Sequence, residues 1–162
     1  MNKLYVLVGV PGAGKSTWVE SQEWDKDCVY ISTDKHVEEY AKSVNKTYSE
    51  VFKDYMPTAV NLMAADVVDA RDAGKDIIWD QTSTTIASRK KKFNMLPDYH
   101  AIAVVFRTPN RAELDVRLSG RAGKHIPKSV VDSMIAGGDE PTLDEGFKEI
   151  WYAAWLLSQM AI

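Results

Sequence analysis

The feature that most constrains this chain is a glycine-rich segment directly after a short apolar run near the start. The run KLYVLV precedes GVPGAGKST, Gly9 to Thr17, which fits the pattern GxxxxGK[ST]. A strand, a glycine loop and a helix in this order direct backbone N–H groups at phosphate oxygens, and the helix dipole adds positive potential there. The segment therefore predicts a phosphate-binding loop.

The side chains of this loop indicate which phosphates it holds. A lysine at position 15 can reach the β and γ phosphates of ATP, and the Ser16 hydroxyl can complete the shell of a magnesium ion. ATP and Mg²⁺ are thus the expected cofactors, with Ser16 as the metal ligand. The predicted nucleotide contacts are Val10, Pro11, Gly12, Ala13, Gly14, Lys15, Ser16 and Thr17.

Four short apolar segments are predicted to be strands: Leu4–Val8, Cys28–Ser32, Asp76–Asp80 and Ala101–Phe106. None of them alternates cleanly between polar and apolar residues, which is typical of strands that are covered on both faces. Helical patterns separate them. We therefore predict an α/β fold, with a parallel sheet of four or five strands and helices on both faces.

The longest helix is predicted between the second and third strands. Its apolar face is expected to comprise Val60, Met63, Ala64, Val67 and Val68, and Gly74 is expected to end it.

Three further patterns lie in the second half of the chain. Thr108-Pro109 is predicted to open a helix that runs towards Arg117, and Pro127 a helix that ends at Gly137. The tail EIWYAAWLLSQM fits either a fifth strand or a helix. Without a long linker, residues 1–162 are expected to form one domain.

Composition limits the partners. The 162 residues carry a net charge of −3, with a pI near 5.6, so any nucleic-acid contact would need a local basic patch. Cys28 is the one cysteine, which excludes a disulfide framework. No signal peptide or membrane span is apparent, so we expect a cytoplasmic protein without a membrane partner. The sequence does not decide the oligomeric state, and a homo-oligomer is one of the alternatives.

The rest of the chain bears on the fate of the bound phosphates. A GTPase would need an NKxD motif, and its nearest match, STDKH, lacks the asparagine. An AAA-type ATPase normally has an acidic pair at the end of its third-strand motif, whereas here Asp80 is followed by Gln81. These absences favour a small kinase, in which a second substrate sits opposite the loop.

Two aspartates follow predicted strands at the edge where ligands bind in parallel sheets. Asp34 comes after the second strand, where a carboxylate can accept the proton of an attacking hydroxyl. Its alternative role is the N-cap of a helix beginning near Lys35. Asp80 ends the third strand and is a candidate for substrate or magnesium-water binding, with Thr82 in reach of the same crevice.

A basic segment, RLSGRAGKHIPKS, carries Arg117, Arg121 and Lys124 beside two glycines. Arginines on a mobile lid (about 117–128) can stabilise the charge of a phosphoryl group during transfer. The alternative is a solvated basic helix end. The three histidines are scattered, with no metal-binding spacing.

Together these segments resemble the kinase domain of phage-type 5′-hydroxyl polynucleotide kinases. GVPGAGKSTW is similar to the family's phosphate loop, YISTD to the segment that ends in its general base, DIIWDQT to a strand ending in a substrate-site aspartate, and RLSGRAGKHIP to its lid. The resemblance implies a P-loop kinase fold, with Asp34 as base, Asp80 in the substrate site, and Arg117 and Arg121 as lid arginines.

One position departs from that family. Where it has an arginine that binds the phosphate next to the acceptor end, this chain has Val37. Tyr48 and Phe52 could stack on a base or pack in the core. The segment RKKKF, Arg89 to Phe93, could follow a nucleic-acid backbone or form a solvated helix face.

The sequence thus predicts an ATP-dependent kinase that phosphorylates a hydroxyl on DNA or RNA, most simply the 5′ end. Alternatives are a kinase of a hydroxymethylated base, such as hydroxymethyluracil in phage DNA, and a small-metabolite kinase. A nucleotide-sensing module without turnover is disfavoured by Asp34 and the lid arginines.

Overall fold

A computed structural model describes residues 1–153. Within that range five strands form one sheet: β1 (Lys3–Val8), β2 (Val29–Ile31), β3 (Ile77–Asp80), β4 (His100–Val105) and β5 (Glu149–Tyr152). The helices between them are α1 (Lys15–Ser21), α2 (Thr33–Ser43), α3 (Tyr48–Asp72), α4 (Ile86–Met95), α5 (Arg111–Ser119) and α6 (Lys128–Ala136), and a short 3₁₀ helix covers Leu143–Glu145.

All strand pairs are parallel, and the sheet order is β2-β3-β1-β4-β5. The predicted α/β fold is confirmed, and the sheet has its fifth strand. The first part of the ambiguous tail is this strand, β5 beside β4. The tail from residue 154 onwards lies outside the described residues.

The central strand explains why the apolar runs do not alternate. Leu4 and Val6 of β1 point into a cluster that also holds Met63 and Val67 of α3. Tyr5 and its neighbour Leu7 belong to a second cluster, which includes Trp18 of α1 and Phe106 after β4. Because both faces of the sheet are covered, each successive residue is buried.

Helix α3 begins with a capping box, in which Thr47 Oγ1 accepts from the backbone N–H of Glu50 and the Glu50 carboxylate accepts from that of Thr47. Its buried face comprises Val51, Ala59, Met63, Val67 and Ala70. The prediction that Val60 belongs to this face is wrong, because Val60 is exposed and Ala59 takes the core position.

Two helix starts differ from the sequence prediction. Helix α5 begins at Arg111 rather than at Thr108-Pro109, because the Asn110 side chain accepts the N–H of Glu113 and is the N-cap. Helix α2 begins at Thr33 rather than near Lys35, and its N-cap is Ser32.

Among residues 1–153, no helix is long and apolar enough to cross a membrane.

Candidate active site

A cleft of about 1380 Å³ opens at the carboxyl ends of the strands. Parallel pairing brings these ends to one edge, with Leu7 of β1 in register with Asp80 of β3. The glycine loop, the start of α2, the first turns of α3, and the segment between α5 and α6 all line this cleft. Residues far apart in the sequence therefore meet around one space.

The glycine loop has the backbone that phosphate binding requires. Gly12 and Gly14 have φ angles of +84° and +98°, in the left-handed region that side chains disfavour. A Cβ at Gly14 would meet nothing within 4 Å, so the space above the start of α1 is open. A loop of this shape can turn successive N–H groups towards an anion.

Lys15 lies under this loop. Its Nζ donates to the backbone carbonyls of Gly9 at 2.8 Å and Val10 at 3.0 Å. Burial lowers the pKa of Lys15 to about 8; the carboxylate of Asp80 opposes that shift and the positive charge of Arg121 adds to it. Phosphate oxygens are charged, so they form stronger hydrogen bonds with the Lys15 ammonium than these two neutral carbonyls do.

Asp80 ends β3 within the cleft and accepts a hydrogen bond from the hydroxyl of Tyr30 on β2. Burial raises the pKa of Asp80, while the Tyr30 hydrogen bond and the Lys15 charge oppose that rise. Two residues later, the Thr82 carbonyl accepts the N–H of Gly9 at 2.9 Å. Thr82 also lines the cleft, and its carbonyl joins the glycine loop to the segment after β3.

The side-chain oxygens in the cleft suit a magnesium ion that is bound mainly by the phosphates of a nucleotide. Ser16 is exposed in the first turn of α1, and Asp80 faces the same cleft. Within residues 1–153, no three His, Cys, Asp or Glu side chains group as a metal cage. Magnesium usually takes one or two protein oxygens and completes its shell with phosphates and water, so this sparse donor set suits it.

Asp34 lies in the first turn of α2, and its side chain is 48% exposed. The Ser32 hydroxyl, and not Asp34, accepts from the N–H of Lys35, so the alternative role of Asp34 as N-cap is wrong. One carboxylate oxygen of Asp34 accepts from Tyr48 Oη at 2.6 Å. The other lies 3.2 Å from Lys124 Nζ.

The two predicted lid arginines occupy different parts of the cleft. Arg117 donates to the Gly12 carbonyl at 3.0 Å and forms an ion pair with Glu113 at 2.7 Å. Arg121 also lines the cleft, and its guanidinium has no ion-pair partner among residues 1–153. Arg117 is thus anchored to the glycine loop, whereas Arg121 is available for an incoming anion.

Sequence reasoning missed the polar contacts of Tyr48, Tyr30 and Lys124. Tyr48 packs against the buried cluster of α2 and α3, as one of its two predicted roles requires, and in addition its hydroxyl binds Asp34 and its ring lies 4.4 Å from Lys124 Nζ. No local pattern marks these residues, because each partner lies on a different element.

Val37 is fully buried between α2 and α3, where it packs with Ala41, Val51 and Ala59. It does not line the cleft, so its assignment to the substrate site is wrong in this structure. An aliphatic side chain at this position fills the core, and helix α2 presents no cation there.

The basic segment of α4 is also different from the prediction. Arg89 is fully buried and forms a bidentate ion pair with Glu145 at 2.5 and 3.1 Å. Lys92 is 5% exposed and lies 5.0 Å from the centre of the Trp79 ring. Only Lys90 and Lys91 of the four cations remain exposed, so the segment is not a continuous basic track.

A family model described as an AAA domain matches residues 4–141, which is most of the chain. The chain belongs to this AAA domain family. The absence of an acidic pair at Asp80-Gln81, which favours a small kinase over an AAA-type ATPase, is not contradicted by this match.

Individual relatives of this AAA domain are named as kinases. The bifunctional polynucleotide phosphatase/kinase of Schizosaccharomyces pombe is 25% identical over 153 residues, which cover 91% of this chain and 32% of that protein. The chain thus spans about a third of this relative's length.

Two solved structures share the fold over nearly the whole chain. A Chloroflexus aurantiacus protein with a provisional kinase name has a TM-score of 0.66 at 13% identity, covering 99% of this chain and 96% of its own. A Janibacter sugar kinase has a TM-score of 0.60 at 16% identity, covering 99% and 92%. The fold is therefore that of P-loop kinases.

Proposed function

We propose that this protein is an ATP-dependent kinase that transfers the γ-phosphate to a hydroxyl group on nucleic acid, most simply the 5′-hydroxyl of DNA or RNA. Lys15 and the glycine loop hold the phosphates, and Ser16 contributes to a magnesium shell. Asp34 is the general base, and Arg121, with Arg117, stabilises the transferring group.

The observation that carries this proposal is the composition of one cleft. Asp34, a half-exposed carboxylate, and Arg121, an arginine without an ion-pair partner within residues 1–153, line the same cavity as the phosphate loop. A nucleotide sensor without turnover needs neither of these groups. A phosphotransferase needs both, because a hydroxyl must lose its proton while charge builds on the equatorial phosphate oxygens.

The reaction balances with these residues. The acceptor oxygen forms a bond to the γ-phosphorus, and the bond from that phosphorus to the β–γ bridging oxygen breaks, so ADP leaves. The hydroxyl proton passes to the Asp34 carboxylate, and Lys15 and Arg121 offset the negative charge on the phosphates.

A nucleic-acid acceptor is supported by the name of the S. pombe relative and by the resemblance to polynucleotide kinases. Lys53 and Phe52 of α3 both line the cleft, so a cation and an aromatic ring are available there for a nucleic-acid strand. Cations and aromatic rings are the groups that hold single strands. Since the net charge is −3, these contacts must be local.

Two alternatives have observations in their favour. The buried Val37 supplies no cation to the cleft at the position where polynucleotide kinases have an arginine, which favours a hydroxymethylated base within DNA over a strand end. The fold shared with a sugar kinase along 99% of the chain favours a small metabolite.

The test is an acceptor panel with γ-labelled ATP and magnesium. It comprises 5′-hydroxyl DNA, 5′-hydroxyl RNA, hydroxymethyluracil DNA, gluconate and common sugars, with the Lys15→Ala variant as the matched blank. The proposal expects label on a 5′-hydroxyl strand. Label on sugars alone would contradict a nucleic-acid acceptor, and label on hydroxymethyluracil DNA alone would support the modified-base alternative.

A further inference from the structure

The Asp34 carboxylate is held on both sides. Tyr48 Oη donates to Oδ1 at 2.6 Å, and Lys124 Nζ lies 3.2 Å from Oδ2. The same ammonium lies 3.2 Å from Glu38 Oε1 and 4.4 Å from the centre of the Tyr48 ring. Asp34, Glu38, Tyr48 and Lys124 therefore form one connected cluster, which we call the Asp34 cluster.

The two contacts of Asp34 differ chemically. Tyr48 is a neutral donor that fixes one oxygen and leaves the carboxylate its charge. Burial, followed by the hydrogen bond and charge of Asp34, raises the pKa of Tyr48, so its hydroxyl stays protonated at physiological pH. Lys124 is a cation, and its ammonium occupies the hydrogen-bonding position at the other oxygen.

The position of Lys124 depends on the loop between α5 and α6, residues 120–127, which docks on the start of α3. The Gly123 carbonyl accepts the N–H of Ser49 at 3.0 Å, and Ser49 Oγ accepts the N–H of His125 at 2.7 Å. The first of these bonds satisfies a donor in the first turn of α3 that no helix carbonyl can reach.

Close packing sets the geometry of this docking. Gly123 has a φ of +68°, and a Cβ there would lie 2.9 Å from Thr47 Cβ. The loop can approach the N-cap of α3 because this residue is glycine. As a result the loop that carries Lys124 and the helix turn that carries Tyr48 are joined directly.

We propose that Tyr48 is the positioning residue of Asp34, and that Lys124 is a latch that occupies the acceptor's place at Asp34 Oδ2 until a substrate displaces it. This inference rests on the proposed role of Asp34 as general base. Tyr48 keeps Oδ1 in place through the reaction. When the ammonium leaves Oδ2, that oxygen is free to accept from the acceptor hydroxyl.

The latch limits wasteful hydrolysis. A carboxylate that is free while ATP is bound can activate water as readily as an acceptor hydroxyl. With Lys124 in place, the base is masked until an acceptor competes for it. Asp34 also interacts electrostatically with Lys15 of α1, Tyr30 of β2 and Asp80 of β3, and Arg121 of the α5–α6 loop interacts in the same way with Tyr48.

The positioning role is tested with Tyr48→Phe, which removes only the hydroxyl. Tyr40→Phe is the matched control, since Tyr40 stacks on Tyr55 away from the cleft. We expect kcat for transfer to fall about tenfold in Tyr48→Phe with an unchanged KM for ATP, and neither value to change in Tyr40→Phe. An unchanged kcat in Tyr48→Phe would overturn the positioning role.

The latch is tested with Lys124→Met, and Lys42→Met on the exposed side of α2 is the control. We expect ATP hydrolysis without acceptor to rise several-fold in Lys124→Met alone. A fall of transfer and hydrolysis together would overturn the latch, because it would mean that the ammonium stabilises the transferring phosphoryl group.

A readout without catalysis separates this inference from the proposed function. The double variant Asp34→Asn with Glu38→Gln removes both carboxylates that hold Lys124, so trypsin should cut after Arg121 and Lys124 several-fold faster than in the wild type. The pair Asp66→Asn with Glu39→Gln is the control. An unchanged cutting rate would overturn the latch, whereas full transfer by the single variant Asp34→Asn would overturn the base assignment instead.

Discussion

The two sides of the cleft are built differently. The nucleotide side comes from one continuous segment, the glycine loop and the start of α1, which follows strand β1, buried from Leu4 to Val8. The acceptor side is assembled across the fold, with Tyr48 14 residues from Asp34 in the chain and Lys124 90 residues from it. One side is local in sequence and anchored in the core, while the other depends on contacts between elements.

This difference has a consequence for motion. Leu4, Val6 and Leu7 of β1 are fully buried, so the loop that follows them is fixed by the core. The α5–α6 loop is held by a few hydrogen bonds, two of them exposed, and by the partly buried side chain of Ile126. Segments with few buried contacts open at low free-energy cost, so we expect rearrangement on the acceptor side and little on the nucleotide side.

The largest expected effect tests the nucleotide side. Lys15→Ala should abolish detectable turnover, since Lys15 is the cation under the phosphate loop. The fold should survive, because the Lys15 ammonium bonds to loop carbonyls rather than to the core. A kinase assay and circular dichroism check this together, and turnover near the wild-type rate would remove Lys15 from the phosphate site.

The next effect tests the acceptor side. Asp34→Asn should lower kcat by about 10²–10⁴-fold and leave the affinity for ATP within a few-fold, because a general base acts on the acceptor. The matched control is Asp66→Asn, an aspartate that pairs with His36 outside the cleft. Equal rates for the two variants would contradict the assignment of Asp34.

Arg121 links the two sides. Arg121→Ala should lower kcat by about 10²-fold, with a smaller change in the KM for ATP, since its contact should peak as charge develops in the transition state. Arg71→Ala, on the exposed end of α3, is the control. If KM rises while kcat stays, Arg121 is a ground-state contact of the nucleotide.

The smallest expected effect is the pH dependence of ATP binding, which involves the nucleotide side alone. The pKa of Lys15 is lowered to about 8, so this side chain loses its charge as the pH rises through 8. ATP binding favours the charged form, and the Kd for ATP should therefore increase about fivefold between pH 8 and pH 9. Calorimetric titrations measure this, and the Lys15→Met variant should show weak binding without that pH dependence.

Sequence patterns identified the elements whose stability is local. The strands and the phosphate loop follow from short runs of adjacent residues, and their positions agree with the structure. The sequence predictions were wrong where two nearby residues could each take the same structural role. Val60 and Ala59 are neighbours on α3, and Asn110 is a better cap than Thr108 because its side chain reaches the N–H of Glu113.

The predicted residues of the candidate site also fall into two groups, those that reach the cleft and those that do not. Asp34, Asp80 and Arg121 follow recognisable segments, and the structure places all three at the cleft. Val37 and Arg89 do not reach it, because tertiary packing buries them. Burial of a cation such as Arg89 depends on its partner Glu145, 56 residues away in the chain, which no local pattern reveals.

The central claim is that the acceptor side presents a hydroxyl of nucleic acid to Asp34. Its most direct test is phosphate transfer from γ-labelled ATP to two oligonucleotides of one sequence, one with a 5′-hydroxyl and one with a 5′-phosphate. We predict one labelled phosphate on each 5′-hydroxyl strand, none on the 5′-phosphate strand, and loss of labelling in Asp34→Asn. Label on neither strand, together with label on a sugar or sugar acid, would contradict the claim.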